Sequence, residues 1–139
     1  MPTVPAMLIA ASALLILSLG TLHLLLTYRG SAFHPRDPAL MEAMKAGSMR
    51  ITRATSMWRS WIGFHASHSL GAMLFGLVYG YLALEGSGFL FRSVFLLVLG
   101  LATLCAYLLL ARLYWFKVPF RGIVLATALY GAGLVTLLK

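Results

Sequence analysis

Charged side chains gather into short stretches of this chain and leave four runs, Ala6–Thr27, Trp61–Leu84, Ser93–Ala111 and Gly122–Leu138, with no Asp, Glu, Lys or Arg. Each run is close to or above the ~17 residues that a helix needs to cross a bilayer. The pattern predicts helices over about 6–28, 61–84, 89–114 and 119–138, with a long connection at 29–60. The expected fold is all-α: an integral membrane four-helix bundle forming a single transmembrane domain over 1–139.

Local signals place the ends. Pro5 suits a first helical turn, and Tyr28 followed by Arg29 suits the interface where the first span leaves the membrane. Gly30, Pro35 and Pro38 stop regular structure. From Ala39 to about Ser56, Leu40, Met41, Met44, Ile51 and Thr55 recur at roughly helical spacing. This stretch predicts a short basic amphipathic segment lying in the interface, although Gly47 and Ser48 interrupt it. Trp58, Arg59 and Trp61 mark re-entry, Glu85-Gly86-Ser87-Gly88 forms a tight turn, and Pro119 suits the start of the last helix.

Composition sharpens this picture. Hydrophobic residues make up 61% of the chain and charged residues 10%, where a soluble domain carries roughly a quarter charged. The first run lacks the basic start and small-residue cleavage pattern of a signal peptide. The net charge of +8 is distributed unevenly: nine of the eleven basic residues lie in or beside the first and third connections, and only Arg92 and Lys139 lie on the other side. The positive-inside rule makes those connections cytoplasmic and both termini outward, as in a multi-pass protein of a bacterial inner membrane. The charge therefore reads as topology and contact with anionic lipid, with Arg50, Arg53 and Arg59 as headgroup candidates, rather than as nucleic-acid binding. Cys105 is the single cysteine, so no intrachain disulfide is possible, and its mid-membrane position predicts an inert thiol.

The candidate chemistry is a layer of histidines. His23 lies four residues inside the end of the first run and His65 four residues inside the start of the second. At 1.5 Å per residue both sit ~6 Å into the inner leaflet, with His68 at ~10 Å. His65 and His68, three apart, share one side of their helix, and a packed first helix brings His23 opposite them. His34 lies in the polar loop and reads as solvated or interfacial. Tyr107, about a turn and a half inside Arg112, is a further candidate for the layer.

Imidazole suits a transition metal, and two imidazoles can hold the iron of a haem b from both faces. His23, His65 and His68 are thus candidate metal ligands and, with Tyr107, candidate cofactor-binding residues. Against this, His-x-x-His is no standard ligand spacing, and no carboxylate or thiolate shares the depth. Structural hydrogen bonds within the membrane explain such histidines equally well. Gly63, Ser67 and Gly71, spaced by four, form a groove where another helix backbone could approach. No phosphate loop, nucleophile–base pair or zinc-protease motif is present, which ranks an enzyme third.

The hydropathy layout resembles that of small bacterial inner-membrane proteins with four helices and, distantly, that of the DoxX-type group, some members of which are linked to quinone oxidation. The likeness covers the whole length as a pattern of spans and transfers no residue. Two functions stand at this point: a binding protein with a His-lined inner-leaflet pocket for a cofactor or amphipathic ligand, with a possible redox role, or a structural or accessory subunit of a membrane complex. Four short helices expose much surface, so a homo-oligomer or a larger complex is expected in either case.

Overall fold

A computed structural model describes residues 3–138. The chain is all-α apart from one small hairpin, in the order α1 Val4–Arg29, α2 Pro38–Ala46, β1 Ser48–Met49, β2 Thr52–Ser56, α3 Met57–Leu84, α4 Phe89–Arg92, α5 Val94–Tyr114 and α6 Lys117–Leu137. Helices α1, α3, α5 and α6 are each long and apolar enough to cross a membrane, which makes this a multi-pass membrane protein.

Two compact units are distinguished: one comprises Gly20–Gly71, the other the described residues up to Leu19 together with those from Ala72 onward. The latter unit is a helical bundle. Its core collects Ile9, Ala13 and Ile16 from α1, Phe75 and Tyr79 from α3, Leu104 from α5 and Tyr130 from α6. Lipid gives helices no hydrophobic reason to associate, so close packing and buried hydrogen bonds must hold them. Both are present. Ser12 Oγ donates to Ala126 O at 2.7 Å, Tyr79 Oη to Leu96 O at 2.8 Å and Tyr130 Oη to Leu97 O at 3.1 Å.

Glycine creates the room for this packing. A Cβ at Gly76 would lie 2.6 Å from Leu17 Cβ and 2.7 Å from Ala13 O, and one at Gly100 would overlap the rings of Tyr79 and Tyr130. The expected packing residues Gly63, Ser67 and Gly71 are instead all exposed, and a Cβ at Gly63 would meet nothing within 4 Å. Within this chain, then, the close approaches are made by other small residues.

In the Gly20–Gly71 unit the connection departs from the expected helix over Ala39–Ser56. Helix α2 is capped by Asp37, whose side chain accepts from Ala39 N, with Pro38 at its first position. It stops at Gly47, whose extended backbone (φ −79, ψ 147) leads into an antiparallel hairpin with Met49 opposite Thr52. The β-branched Ile51, Thr52 and Thr55 favour that outcome over a continued helix. Arg50 and Ile51 form the tip, and Ile51 is 88% exposed.

Two other boundaries differ. Helix α3 begins at Met57, four residues earlier than expected, with Ser56 Oγ accepting from Arg59 N. The expected third helix is divided: Ser93 ends α4 in an extended conformation and caps α5 by accepting from Leu96 N. The turn before it is built on Glu85, which accepts from Ser87 Oγ, Ser87 N and Phe89 N, while Gly88 takes the left-handed φ of +67 that glycine tolerates best.

Candidate functional site

The Gly20–Gly71 unit brings the three membrane histidines together. His23 comes from α1; His65 and His68 come from consecutive turns of α3. His23 Nε2 and His65 Nδ1 are 2.9 Å apart, a direct imidazole–imidazole hydrogen bond, and their rings stack at 5.1 Å and 28°. The His68 ring stands edge-on to His23 at 5.5 Å.

Aromatic rings surround the pair. Phe33, from the loop after α1, lies 4.7 Å from His65 at 21° and 4.4 Å from His23. Trp61 meets His65 edge-on at 4.4 Å, and its Nε1 donates to Phe33 O at 3.0 Å. That bond ties the loop to α3 and holds Phe33 over the histidines. Phe64 lies parallel to His68 at 6.5 Å. Phe33 carried no periodic signal; a lone aromatic in a stretch of Gly, Ser and Pro was the one trace of it in the sequence.

The nearby hydroxyls are turned toward the backbone. Thr27 Oγ1 donates to His23 O and Ser69 Oγ to His65 O, each at 2.8 Å. Among the described residues, the one buried side-chain nitrogen or oxygen without a hydrogen-bond partner is His65 Nε2. Buried polar groups are nearly always paired. This exception requires an explanation.

The arrangement does not match a metal centre. Among the described residues no group of three or more His, Cys, Asp or Glu is placed to hold a metal ion. Two nitrogens on one tetrahedral ion stand about 3.3 Å apart at ordinary bond lengths, whereas His23 and His65 share a hydrogen bond at 2.9 Å. A haem iron held from both faces keeps its two nitrogens about 4 Å apart with the macrocycle between them. Direct contact between His23 and His65 leaves no such gap. As placed, His23 and His65 bond each other, and the arrangement lends no support to the expected binding of metal or haem by His23, His65 and His68.

Two cavities are described, and neither is lined by a histidine. One lies at the α5–α6 turn, and the other, of about 630 Å³, lies between α1 and α3 beside Leu14, Gly76 and Tyr81. Tyr107 belongs to the other unit, where its ring lies 6.2 Å from Trp115. His34 sits in the loop with its ring edge-on to Trp58 at 4.9 Å. Arg50 at the hairpin tip, Arg53 on β2 and Arg59 in the first turn of α3 are exposed, and so is Cys105.

No family model, curated protein or solved structure matches this chain. The resemblance to DoxX-type proteins accordingly gains no support beyond hydropathy, and function rests on the site itself.

Proposed function

We propose that this protein binds an amphipathic molecule through its histidine pair, with the polar head of the ligand hydrogen-bonded to His65 Nε2. The unpartnered nitrogen is the observation that carries this reading. Leaving it unpaired costs about 1–3 kcal/mol, a cost that a ligand head would remove. Polar groups at membrane depth commonly mark such sites.

The pair fits two kinds of head. With the shared proton on His65 Nδ1, His65 Nε2 is a bare acceptor and suits a hydroxyl. With that proton on His23 Nε2, His65 carries its own proton on Nε2 and suits a carbonyl. One site thus accepts both members of a quinol/quinone-type couple. Phe33 covers the site, held by Trp61, so binding displaces a loop rather than filling an open cavity.

The protein would act in a bacterial inner membrane with both termini outward, as the bias of basic residues toward the first and third connections indicates. Exposed Ile51 beside Arg50 and Arg53 suits a hairpin resting on anionic headgroups.

The test is saturable quenching of Trp61 fluorescence by a decyl-tailed benzoquinone in nanodiscs, in a Trp58→Phe, Trp115→Phe background. Binding that weakens at least tenfold in His65→Phe and is unchanged in His34→Ala supports the reading. Quenching that stays linear in quinone, or is equal in His65→Phe, contradicts it.

A second reading, an accessory subunit, is favoured by the open stripe of Gly63, Ser67 and Gly71. A partner helix or a second copy packing there would make use of small residues that are exposed in this chain.

A further inference from the structure

The turn between α5 and α6 carries an open cavity of about 360 Å³ lined by Ala111, the aromatic Trp115, Phe116 and Phe120, and the basic Arg112, Lys117 and Arg121. The two basic residues on α6 are unusually placed for the helix that carries them. Arg112 lies in the last turn of α5, where a cation complements the helix dipole. Lys117 is the first residue of α6, where the dipole disfavours a cation, and Arg121 stands four residues on, where the two like charges repel.

The start of α6 is also short of acceptors. Pro119 carries no N–H, which leaves the amides of Lys117 and Val118 without intrahelical partners; Phe116 supplies no side-chain cap, and no acidic residue lies in that turn. No acidic side chain lies close in sequence to this turn. The chain's three acidic residues are Asp37, Glu42 and Glu85. Asp37 caps α2, Glu42 pairs with Lys45, and Glu85 holds the turn before α4.

We infer that the α5–α6 turn binds the phosphate of an anionic membrane lipid. The phosphate would sit between Arg112, Lys117 and Arg121 and the start of α6, the usual chemistry of phosphate recognition by cations and helix amides. The position favours a lipid over a soluble phosphate. Tryptophan and arginine mark headgroup depth, and exposed Phe116 in the lining, with exposed Leu113 and Val118 next to lining residues in sequence, offers apolar surface for acyl chains. The site is independent of the histidine pair, so either assignment can fail without the other.

Native mass spectrometry of the full-length protein released from nanodiscs of mixed phosphatidylglycerol and phosphatidylcholine tests this inference. The wild type retains phosphatidylglycerol in preference to phosphatidylcholine. Each of Arg112→Gln, Lys117→Gln and Arg121→Gln lowers that preference about fivefold, the change that ~1 kcal/mol per basic residue represents. Arg36→Gln, an exposed basic residue in the loop after α1, leaves it unchanged. Circular dichroism shows which variants fold, and Lys117→Arg, which keeps the charge, retains the preference if a glutamine variant is lost. Equal retention of the two lipids, an equal loss in Arg36→Gln, or displacement of the lipid by glycerol phosphate at equal concentration would each overturn the assignment.

Discussion

His23 on α1 and His65 on α3 are joined by a 2.9 Å hydrogen bond between ring nitrogens. A polar contact between two membrane helices is worth on average about 0.6 kcal/mol. The more consequential part is therefore what the bond leaves behind: one His65 nitrogen consumed and the other buried without a partner. His65→Phe keeps a ring against Phe33 and Trp61, loses the bond and removes the unpaired nitrogen. Its unfolding free energy in mixed micelles is expected within about 1 kcal/mol of wild type. His65→Ala also empties the ring's place and should cost about 1–2 kcal/mol more.

The small residues divide into two groups with opposite expected behaviour. Gly76→Ala drives a methyl into Leu17 and the Ala13 carbonyl, where backbone cannot give way, and should destabilise by about 1–3 kcal/mol. Gly63→Ala meets nothing and, by helix propensity, should be neutral or stabilising by up to about 1 kcal/mol. If Gly63, Ser67 and Gly71 receive a partner helix, Gly63→Leu lowers the oligomer mass in light scattering while monomer unfolding stays unchanged.

Spans and histidine depth were legible in the sequence because both follow from counting. Runs without charge must be long enough to cross lipid, and a fixed rise per residue places His23, His65 and His68 at similar depth. Contacts made by residues without periodicity were not legible. Phe33 lies in an irregular loop, and its position over His65 depends on the Trp61 bond to its carbonyl. The hairpin after Gly47 was missed because its apolar residues also fit a helical count, whereas the β-branched residues on its second strand decide the outcome locally. Spacing by four identified Gly63, Ser67 and Gly71 as a stripe, yet Gly76 and Gly100 make the close approaches, since which side of a uniformly apolar helix is packed depends on its neighbours.

Glu85 gives the turn before α4 a pH dependence. The Ser87 hydroxyl and the amides of Phe89 and Ser87 hold its carboxyl below the usual range. A depressed folded value means a contribution that is fully present above the ordinary carboxylate pKa of about 4 and is lost as pH falls through the folded value. Hydrogen exchange at the Phe89 amide should accelerate, relative to its intrinsic rate, as pH drops through that window. In Glu85→Gln this pH dependence should disappear.

The histidine geometry also predicts what purification will show. Protein isolated from membranes should lack a haem absorption band and stoichiometric zinc or copper, and EDTA should leave its thermal midpoint unchanged, because His23 and His65 bond each other rather than an ion. A metal lost in His23→Ala and His68→Ala would contradict this.

The most direct measurement of the central claim is the side-chain ¹⁵N NMR spectrum of the histidines in nanodiscs, recorded without ligand and with the decyl-tailed benzoquinone or its quinol. The account predicts that His65 Nε2 resonates as an unbonded nitrogen without ligand, shifts on addition of either probe, and exchanges donor for acceptor character between the two. An Nε2 already bonded without ligand, or a His65 signal unmoved by both probes, would contradict it.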